Sequence, residues 1–251
     1  MDVQFSKEVI ERLAAAQSVA VLTGAGISAE SGVPTFRGED GIWNKLKPEE
    51  LASMDAFLKN PDLVWQWYQY RRELMNDIEP NPGHYVLAEM ESDYDDFTLS
   101  TQNIDGLHIR AKSQRVLELH GNILRNRCNT CGKLTDENFP GDNVARCQCG
   151  GLIRPDVVWF GEMLPQEPLY DSFAAAERAD VYLSIGTSAV VQPAASLPLE
   201  AKHQGAYVVE INLERTEISA MVDESYLGTA GTLLPELYRL VKEERTRENK
   251  D

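Results

Sequence analysis

Thr23-Gly24-Ala25-Gly26-Ile27-Ser28-Ala29-Glu30-Ser31-Gly32-Val33-Pro34-Thr35-Phe36-Arg37-Gly38 follows a short apolar run, Val19-Ala20-Val21-Leu22. The run reads as a buried strand. Two glycines one residue apart let the backbone turn tightly and come close to a ligand with no Cβ in the way. Gly24-x-Gly26-x-x-Ala29 also meets the loose form of the dinucleotide fingerprint, in which such a turn lies against a pyrophosphate. A plain strand-to-helix turn has the same composition, so the rest of the chain must decide what the loop holds.

An ordinary dinucleotide fold puts a second strand, ending in an acidic residue, about 20 residues after the glycines. Asp40, Glu49 and Glu50 stand near that distance but in no strand context. From Arg37 to about Pro80 the spacing predicts aromatic-rich helical pieces, including a helix over 61–75 with Leu63, Val64, Trp67, Tyr70 and Leu74 on one broad face. The simple dehydrogenase reading is therefore set aside. Elsewhere helix and strand alternate. A helix is predicted over 5–16 with Ser6 as N-cap, and another over 83–90. Strands follow over 97–100 and 116–119, with a β-rich piece over 157–160. The series closes with helix 170–179, strand 181–185, helix 193–203, strand 207–211 and helix 234–244, then a charged, frayed tail from Glu243.

The chain of 251 residues carries 24 Lys and Arg against 40 Asp and Glu, a formal net charge of −16. That balance argues against phosphate-rich partners such as nucleic acid or anionic membrane, which demand Lys and Arg. No apolar run approaches the roughly 20 residues of a membrane span. Met1-Asp2-Val3-Gln4-Phe5 has neither a basic n-region nor an apolar h-region. A cytoplasmic protein is the expectation.

All four cysteines fall between Cys128 and Cys149. Cys128-Asn129-Thr130-Cys131 and Cys147-Gln148-Cys149 form two ligand pairs, the second closely spaced. Clustering in a chain otherwise free of cysteine argues for a metal rather than disulfides. Four thiolates fill a tetrahedral Zn²⁺ and leave no open position, so one structural zinc is expected, stabilising an insertion with little core of its own. A nucleic-acid-binding zinc ribbon is the competing reading, but Arg127, Lys133 and Arg146 are few against the surrounding acidity.

Three polar stretches sit where α/β proteins place function, at the carboxyl ends of strands. They are Thr101-Gln102-Asn103-Ile104-Asp105-Gly106-Leu107-His108, Leu119-His120-Gly121-Asn122 and Gly186-Thr187-Ser188. Each has an ordinary explanation as turn or cap chemistry. Together, beside the glycine loop, they make a constellation.

On these residues, with the four cysteines and Val157-Val158-Trp159-Phe160-Gly161-Glu162, the chain resembles the sirtuins, NAD-dependent protein lysine deacylases. The likeness runs from about Ser18 to Leu237. It departs at the close-spaced second cysteine pair and at Lys112, where the family often has glycine. The resemblance implies a single α/β domain with a Rossmann-like parallel-sheet body over about 1–36, 81–120 and 160–251. A smaller unit is made of a helical insertion over about 37–80 and the zinc insertion over about 121–159. It also implies that NAD is consumed as a co-substrate. Gly24, Ala25, Gly26, Ile27, Ser28, Glu30, Phe36 and Arg37 would line its site, with Thr35 to Trp43 as a flexible part. Gln102, Asn103, Ile104 and Asp105 would meet the ribose and nicotinamide end, Asn103 taking part in catalysis. Gly186, Thr187 and Ser188, with Asn212, Leu213 and Glu214, would hold the adenosine side, and Ala230 would close over the adenine. His120 would be the general base, an imidazole able to take and return a proton near neutrality. Val157, Trp159, Phe160 and Glu162 would receive the substrate peptide as an added strand. Products would be nicotinamide, O-acyl-ADP-ribose and free lysine. Acyl-lysine proteins or peptides are the expected partners of a monomer, with neither nucleic acid nor membrane. The other readings are mono-ADP-ribosyl transfer and an NAD-binding regulator that reads acyl-lysine without turnover.

Tyr68 and Arg71 stand three apart, on one face of the predicted helix. The neighbours of Arg71 at three and four positions include no carboxylate. A planar, permanently charged fork suits the terminal carboxylate of a dicarboxylic acyl chain. The resemblance agrees, since a Tyr-x-x-Arg pair marks the sirtuin branch acting on succinyl- and malonyl-lysine, and Ala52 matches a small residue that leaves room for the acyl group. Retained deacetylation is also expected. The plainer alternative pairs Arg71 with a distant acid.

Overall fold

Alternation along each apolar run decides the layering. In the computed structural model, which describes residues 4–35, 51–137 and 139–248, β1 (Ser18–Thr23) sends Val19 and Val21 to one face and Ala20 and Leu22 to the other. The first face meets α1 (Lys7–Ala15), capped by the Ser6 hydroxyl, which accepts from the Val9 amide at 3.1 Å. A short α2 (Ala25–Ala29) follows the glycine turn. After the undescribed stretch come α3 (Met54–Lys59), α4 (Pro61–Asn76), capped by Asn60, and α5 (Pro82–Asp93). β2 (Asp96–Thr101), α6 (Leu107–Arg110) and β3 (Val116–Glu118) return the chain to the sheet.

β4 (Gly121–Cys128), β5 (Leu134–Thr135) and β6 (Ile153–Val157) form a separate antiparallel sheet in the order β5-β4-β6. The chain then runs through α7 (Gln166–Arg178), β7 (Val181–Ile185), a 3-10 turn (Ala194–Ser196), α8 (Leu197–His203), β8 (Tyr207–Asn212), β9 (Glu224–Leu227) and α9 (Ala230–Glu248). The six-stranded sheet has the order β3-β2-β1-β7-β8-β9, all parallel. One apolar layer joins it to α1, α5 and α9 through Val9, Leu13, Leu87, Leu234 and Val241. The opposite layer joins it to α7 and α8 through Ala176, Leu197 and Ala201. This is the parallel α/β body expected.

The order reverses between β1 and β7, which makes their carboxyl ends the switch point where such folds open a crevice. Register places the ends side by side: Thr23 pairs with both Thr101 and Ile185, and Ile185 with Ile211.

The two insertions pack on each other. Trp65 of α4 is buried with Cys128 and Ile153. Arg72 donates to the Arg125 carbonyl at 3.0 Å and to Asn126 Oδ1 at 2.7 Å.

Several expectations are corrected. The β-rich piece read over 157–160 shares only Val157 with the strand that forms there, β6 (Ile153–Val157). Beyond it the amides of Val158 and Phe160 turn to the carbonyls of His120 and Ala52, at 2.9 and 3.0 Å, and pairing is reduced to an isolated parallel bridge between Phe160 and Ser53. The helix read over 193–203 begins as a 3-10 turn. The last helix starts at Ala230 and runs to Glu248 instead of fraying from Glu243. Arg245 extends it by donating to the carbonyls of Leu13, Ala14 and Asp93, fastening it to the ends of α1 and α5.

Candidate functional site

The glycines of the opening motif are required by a neighbouring loop. The Gly24 amide donates to the Ile185 carbonyl at 3.0 Å and the Gly26 amide to the Gly186 carbonyl at 2.8 Å. A Cβ on Gly26 would lie 2.7 Å from the Gly186 Cα, and one on Gly186, whose φ is +60°, would lie 2.4 Å from the Ile27 nitrogen. Only glycine permits this approach. The interlocked turns floor a cleft of about 1010 Å³.

Gln102 joins three strand ends above that floor. Its side-chain amide donates to Thr187 Oγ1 at 2.8 Å, and its carbonyl lies 2.9 Å from His120 Nδ1. A carbonyl can only accept, so Nδ1 carries the hydrogen and Nε2 is left with the lone pair. Burial pushes the His120 pKa down from the ordinary imidazole value, with the hydrogen bond to Gln102 opposing. A neutral ring with a basic Nε2, lining the cleft, can accept a proton at neutral pH.

Asn103 is 5% exposed and donates to the Gly24 carbonyl at 3.0 Å and to Ser28 Oγ at 3.1 Å. Ser28 Oγ in turn donates to Asp105 Oδ2 at 2.8 Å, while Asp105 Oδ1 accepts from the Leu107 amide. Burial raises the Asp105 pKa against the pull of these two hydrogen bonds. His84 and His108, rings 4.8 Å apart, lie under the same network, with His108 Nε2 2.9 Å from Thr23 Oγ1. Burial pushes His84 down to about 4 and His108 well below the ordinary value, so both are neutral.

On the far side Asn212 Nδ2 donates to the Thr187 carbonyl at 2.9 Å. Glu210 is 1% exposed and bonds the hydroxyls of Thr216, Ser219 and Ser225, pinning the loop that carries Leu213 and Glu214.

The other end of the cleft is walled by α4 and the segment after β6. Ala52, Tyr68 and Arg71 line it with Val157, Trp159, Phe160 and Glu162. The Arg71 guanidinium lies 5.0 Å from the Trp67 ring centre and 5.9 Å from that of Tyr68. Burial lowers the Arg71 pKa and raises that of the Tyr68 hydroxyl. Trp159 Nε1 donates to the Tyr68 hydroxyl at 2.9 Å. Glu162 accepts from both Arg154 and the Trp159 amide. The amides of Val158, Trp159 and Phe160 are therefore all engaged within the chain.

The structure thus gathers Gly24, Ala25, Gly26, Thr35, Gln102, Asn103, Ile104, His120, Gly186, Thr187, Ser188, Asn212, Leu213 and Glu214 around one cleft with the wall just described. Ile27, Ser28, Asp105 and Ala230 are buried beneath or beside it and are not among its described lining residues. Glu30 is exposed, its carboxylate accepting from the Gly231 amide at the start of α9. Phe36, Arg37 and Trp43 lie outside the described residues. Sequence reasoning passed over Trp67, Leu164, Val191 and Arg215, which line the cleft, and the buried Glu210 and His84. A glutamate inside the apolar run Val208-Val209-Glu210-Ile211 was a readable signal for an internal partner.

The four cysteine sulfurs lie within 4.8 Å of one another, Cys128 to Cys149 at 3.5 Å and Cys131 to Cys147 at 3.8 Å. Zinc–thiolate bonds of about 2.3 Å in a tetrahedron require sulfurs about 3.8 Å apart. The donor set therefore fits Zn²⁺, closed and structural. No helix among the described residues is long and apolar enough to cross a membrane.

A model of the Sir2 family matches residues 24–193. The chain is 50% identical over 229 residues to an NAD-dependent protein deacylase of Aquifex aeolicus, covering 90% of this chain and 96% of that one. It is also 50% identical over 243 residues to NAD-dependent protein deacylase 2 of Pyrobaculum aerophilum, covering 96% and 98%. Among solved structures, a Sir2 homolog–NAD complex superposes with a TM-score of 0.90 at 44% identity, over 97% of this chain and 96% of that one. A Sir2–p53 peptide–NAD+ complex does so with a TM-score of 0.84 at 33% identity, over 96% and 99%.

Proposed function

This chain belongs to the Sir2 family, and we infer that it is an NAD-dependent protein deacylase that removes succinyl and malonyl groups, and acetyl groups as well, from lysine side chains. One observation carries the acyl preference: Tyr68 and Arg71 line the same cleft as His120, Asn103 and the glycine turn. A dicarboxylic acyl chain ends in a carboxylate, and Arg71 offers it a planar charged fork with the Tyr68 hydroxyl nearby. Ala52, a small residue, lines the same cleft and in this reading leaves room for the acyl group.

In this reading NAD lies along the switch-point crevice. Its pyrophosphate rests against the Gly24–Gly26 turn, its adenosine toward Thr187, Ser188, Asn212, Leu213 and Glu214, and its nicotinamide ribose toward Gln102, Asn103 and His120. Phe36, Arg37 and Trp43 would complete the site. The acyl oxygen attacks the ribose carbon as nicotinamide leaves, and His120 Nε2 takes the proton of a ribose hydroxyl as that oxygen attacks the resulting imidate. Water then adds to the acyl carbon and the lysine amine leaves it, so that the products are nicotinamide, O-acyl-ADP-ribose and free lysine. The amides of Val158, Trp159 and Phe160 are engaged, so a substrate peptide beside them pairs chiefly through the carbonyls of this run. Zinc, held by the four thiolates, keeps the insertion folded and takes no part in the chemistry. The division into body and insertions at the boundaries given above belongs to the same proposal.

The test is mass spectrometry of products from NAD and matched succinyl-, malonyl- and acetyl-lysine peptides, with wild type and Arg71→Met. Loss of one charge-assisted contact predicts a fall in succinyl-peptide kcat/KM of about 10- to 100-fold, with a smaller effect on the acetyl peptide. Equal loss on both peptides sinks the acyl assignment. Label retained on protein would point to ADP-ribosyl transfer, and absence of nicotinamide release to a non-catalytic reader.

A further inference from the structure

Tyr68 and Trp159, distant in sequence, meet in the wall of the cleft with 1% and 2% of their surfaces exposed. The indole nitrogen can only donate, so in their 2.9 Å contact the phenol oxygen accepts. A phenol has a single hydrogen, and with one lone pair engaged by the indole that hydrogen is directed elsewhere. Burial raises the Tyr68 pKa, which keeps the hydrogen in place. Trp159 is itself clamped: the Arg154 guanidinium sits 3.3 Å from its ring centre, and its backbone amide donates to Glu162 Oε2 at 2.8 Å. Glu162 also pairs with Arg154, which is how a 3% exposed arginine is tolerated. A cation over the face draws density from the indole ring, which strengthens its N–H as a donor.

We propose that Trp159 is a positioning residue for acyl selection, its indole N–H holding the Tyr68 hydroxyl so that the phenolic hydrogen is presented to the carboxylate of a succinyl or malonyl chain. This rests on the acyl reading of the preceding subsection and adds a device to it: the Glu162–Arg154–Trp159 strut sets the direction of a hydroxyl, while Arg71 supplies the charge. An acetyl group has no carboxylate, so its turnover does not depend on where that hydrogen points.

The experiment measures kcat and KM on succinyl- and acetyl-lysine forms of one peptide. The variants are Trp159→3-benzothienylalanine (sulfur in place of the N–H, with the ring shape kept), Trp159→Phe, Tyr68→Phe and the double variants. In the isosteric variant the succinyl-to-acetyl ratio of kcat/KM is expected to fall about five-fold, the size of one lost neutral hydrogen bond, mainly through the succinyl KM. In a Tyr68→Phe background the same replacement should lower the ratio no further, because the two residues act as one unit. Equal losses on both peptides, or an undiminished fall in the Tyr68→Phe background, overturns the role of Trp159. Wild type without succinyl turnover overturns the parent reading together with this one. A Tyr68→Phe effect that no Trp159 variant reproduces overturns this proposal alone.

Discussion

The six-stranded body and the cysteine insertion solve the same problem by different means. In the body the central strands β1, β7 and β8 have both faces covered, and Val19, Leu183, Ile185, Val209 and Ile211 are at most 1% exposed. Burial on that scale supports a fold by itself. The insertion has three strands, one of them only Leu134–Thr135, and a small apolar cluster around Trp65, Cys128 and Ile153. Its first and last strands are held by α4 and by the chelate. Burial is distributed over many contacts and tolerates local faults, whereas a chelate concentrates the stability of its unit in a few bonds. The site lies where the two meet, since His120 is the last residue before β4 and the Val157–Glu162 wall follows β6.

The largest expected effect follows from removing the metal. Zinc in small thiolate sites contributes on the order of 10 kcal/mol to folding. Cys128→Ser, or strong chelation, should abolish zinc content and deacylase activity while far-UV circular dichroism retains the helices of the body. A metal-free variant that stays fully folded and active would erase the distinction between the two regions.

Next in size is the seam. His120→Ala should lower kcat/KM by about 100- to 10,000-fold, the range for a lost general base, with cooperative thermal unfolding and zinc content retained. The wild-type pH profile refines this. Burial favours the neutral ring, so base function should persist as pH falls past the ordinary imidazole value of 6.5 and fail only at the lowered pKa. An acid limb at or above 6.5 would contradict that placement.

The smallest effect lies inside the body. Lys112 has a φ of +81°, a region that disfavours a side chain. Lys112→Gly should relieve that strain, partly offset by the freedom glycine gains when unfolded, for a net stabilisation of about 1 kcal/mol by denaturant unfolding. A destabilised variant would mean that the lysine side chain contributes more than its backbone costs.

Much of the body was legible because its signals are local. Ser6 before an apolar periodic run gives a capped helix, and Val181 to Ile185 reads as a strand with no knowledge of its neighbours. β6 was hidden because Arg154, Pro155 and Asp156 look unlike a strand. They are buried only because β4 pairs with them and because Arg154 meets Glu162 while Asp156 meets Arg125. β9 was missed for a related reason, as Glu224 is accommodated by hydroxyls of Ser6 and Tyr207 from distant segments. In the site, the strand-end motifs were readable as turn chemistry. The Trp159–Tyr68 bond and the anchoring by Glu210 of the loop that carries Leu213 and Glu214 were not.

Sequence alone determined the alternation of strands and helices and the four-sulfur donor set, since these depend on periodicity and ligand chemistry within short windows, whereas the need for glycine at positions 24 and 26 comes from the Gly186–Thr187 turn packed against them. Tertiary structure decided which polar residues reach the cleft and which lie under it. Ser28, a buried partner of Asn103, and Asp105, which accepts from Ser28, belong to the quoted motifs but lie under the cleft rather than lining it. A polar group can be buried only where another segment supplies its hydrogen bonds, and no short window of sequence holds both partners.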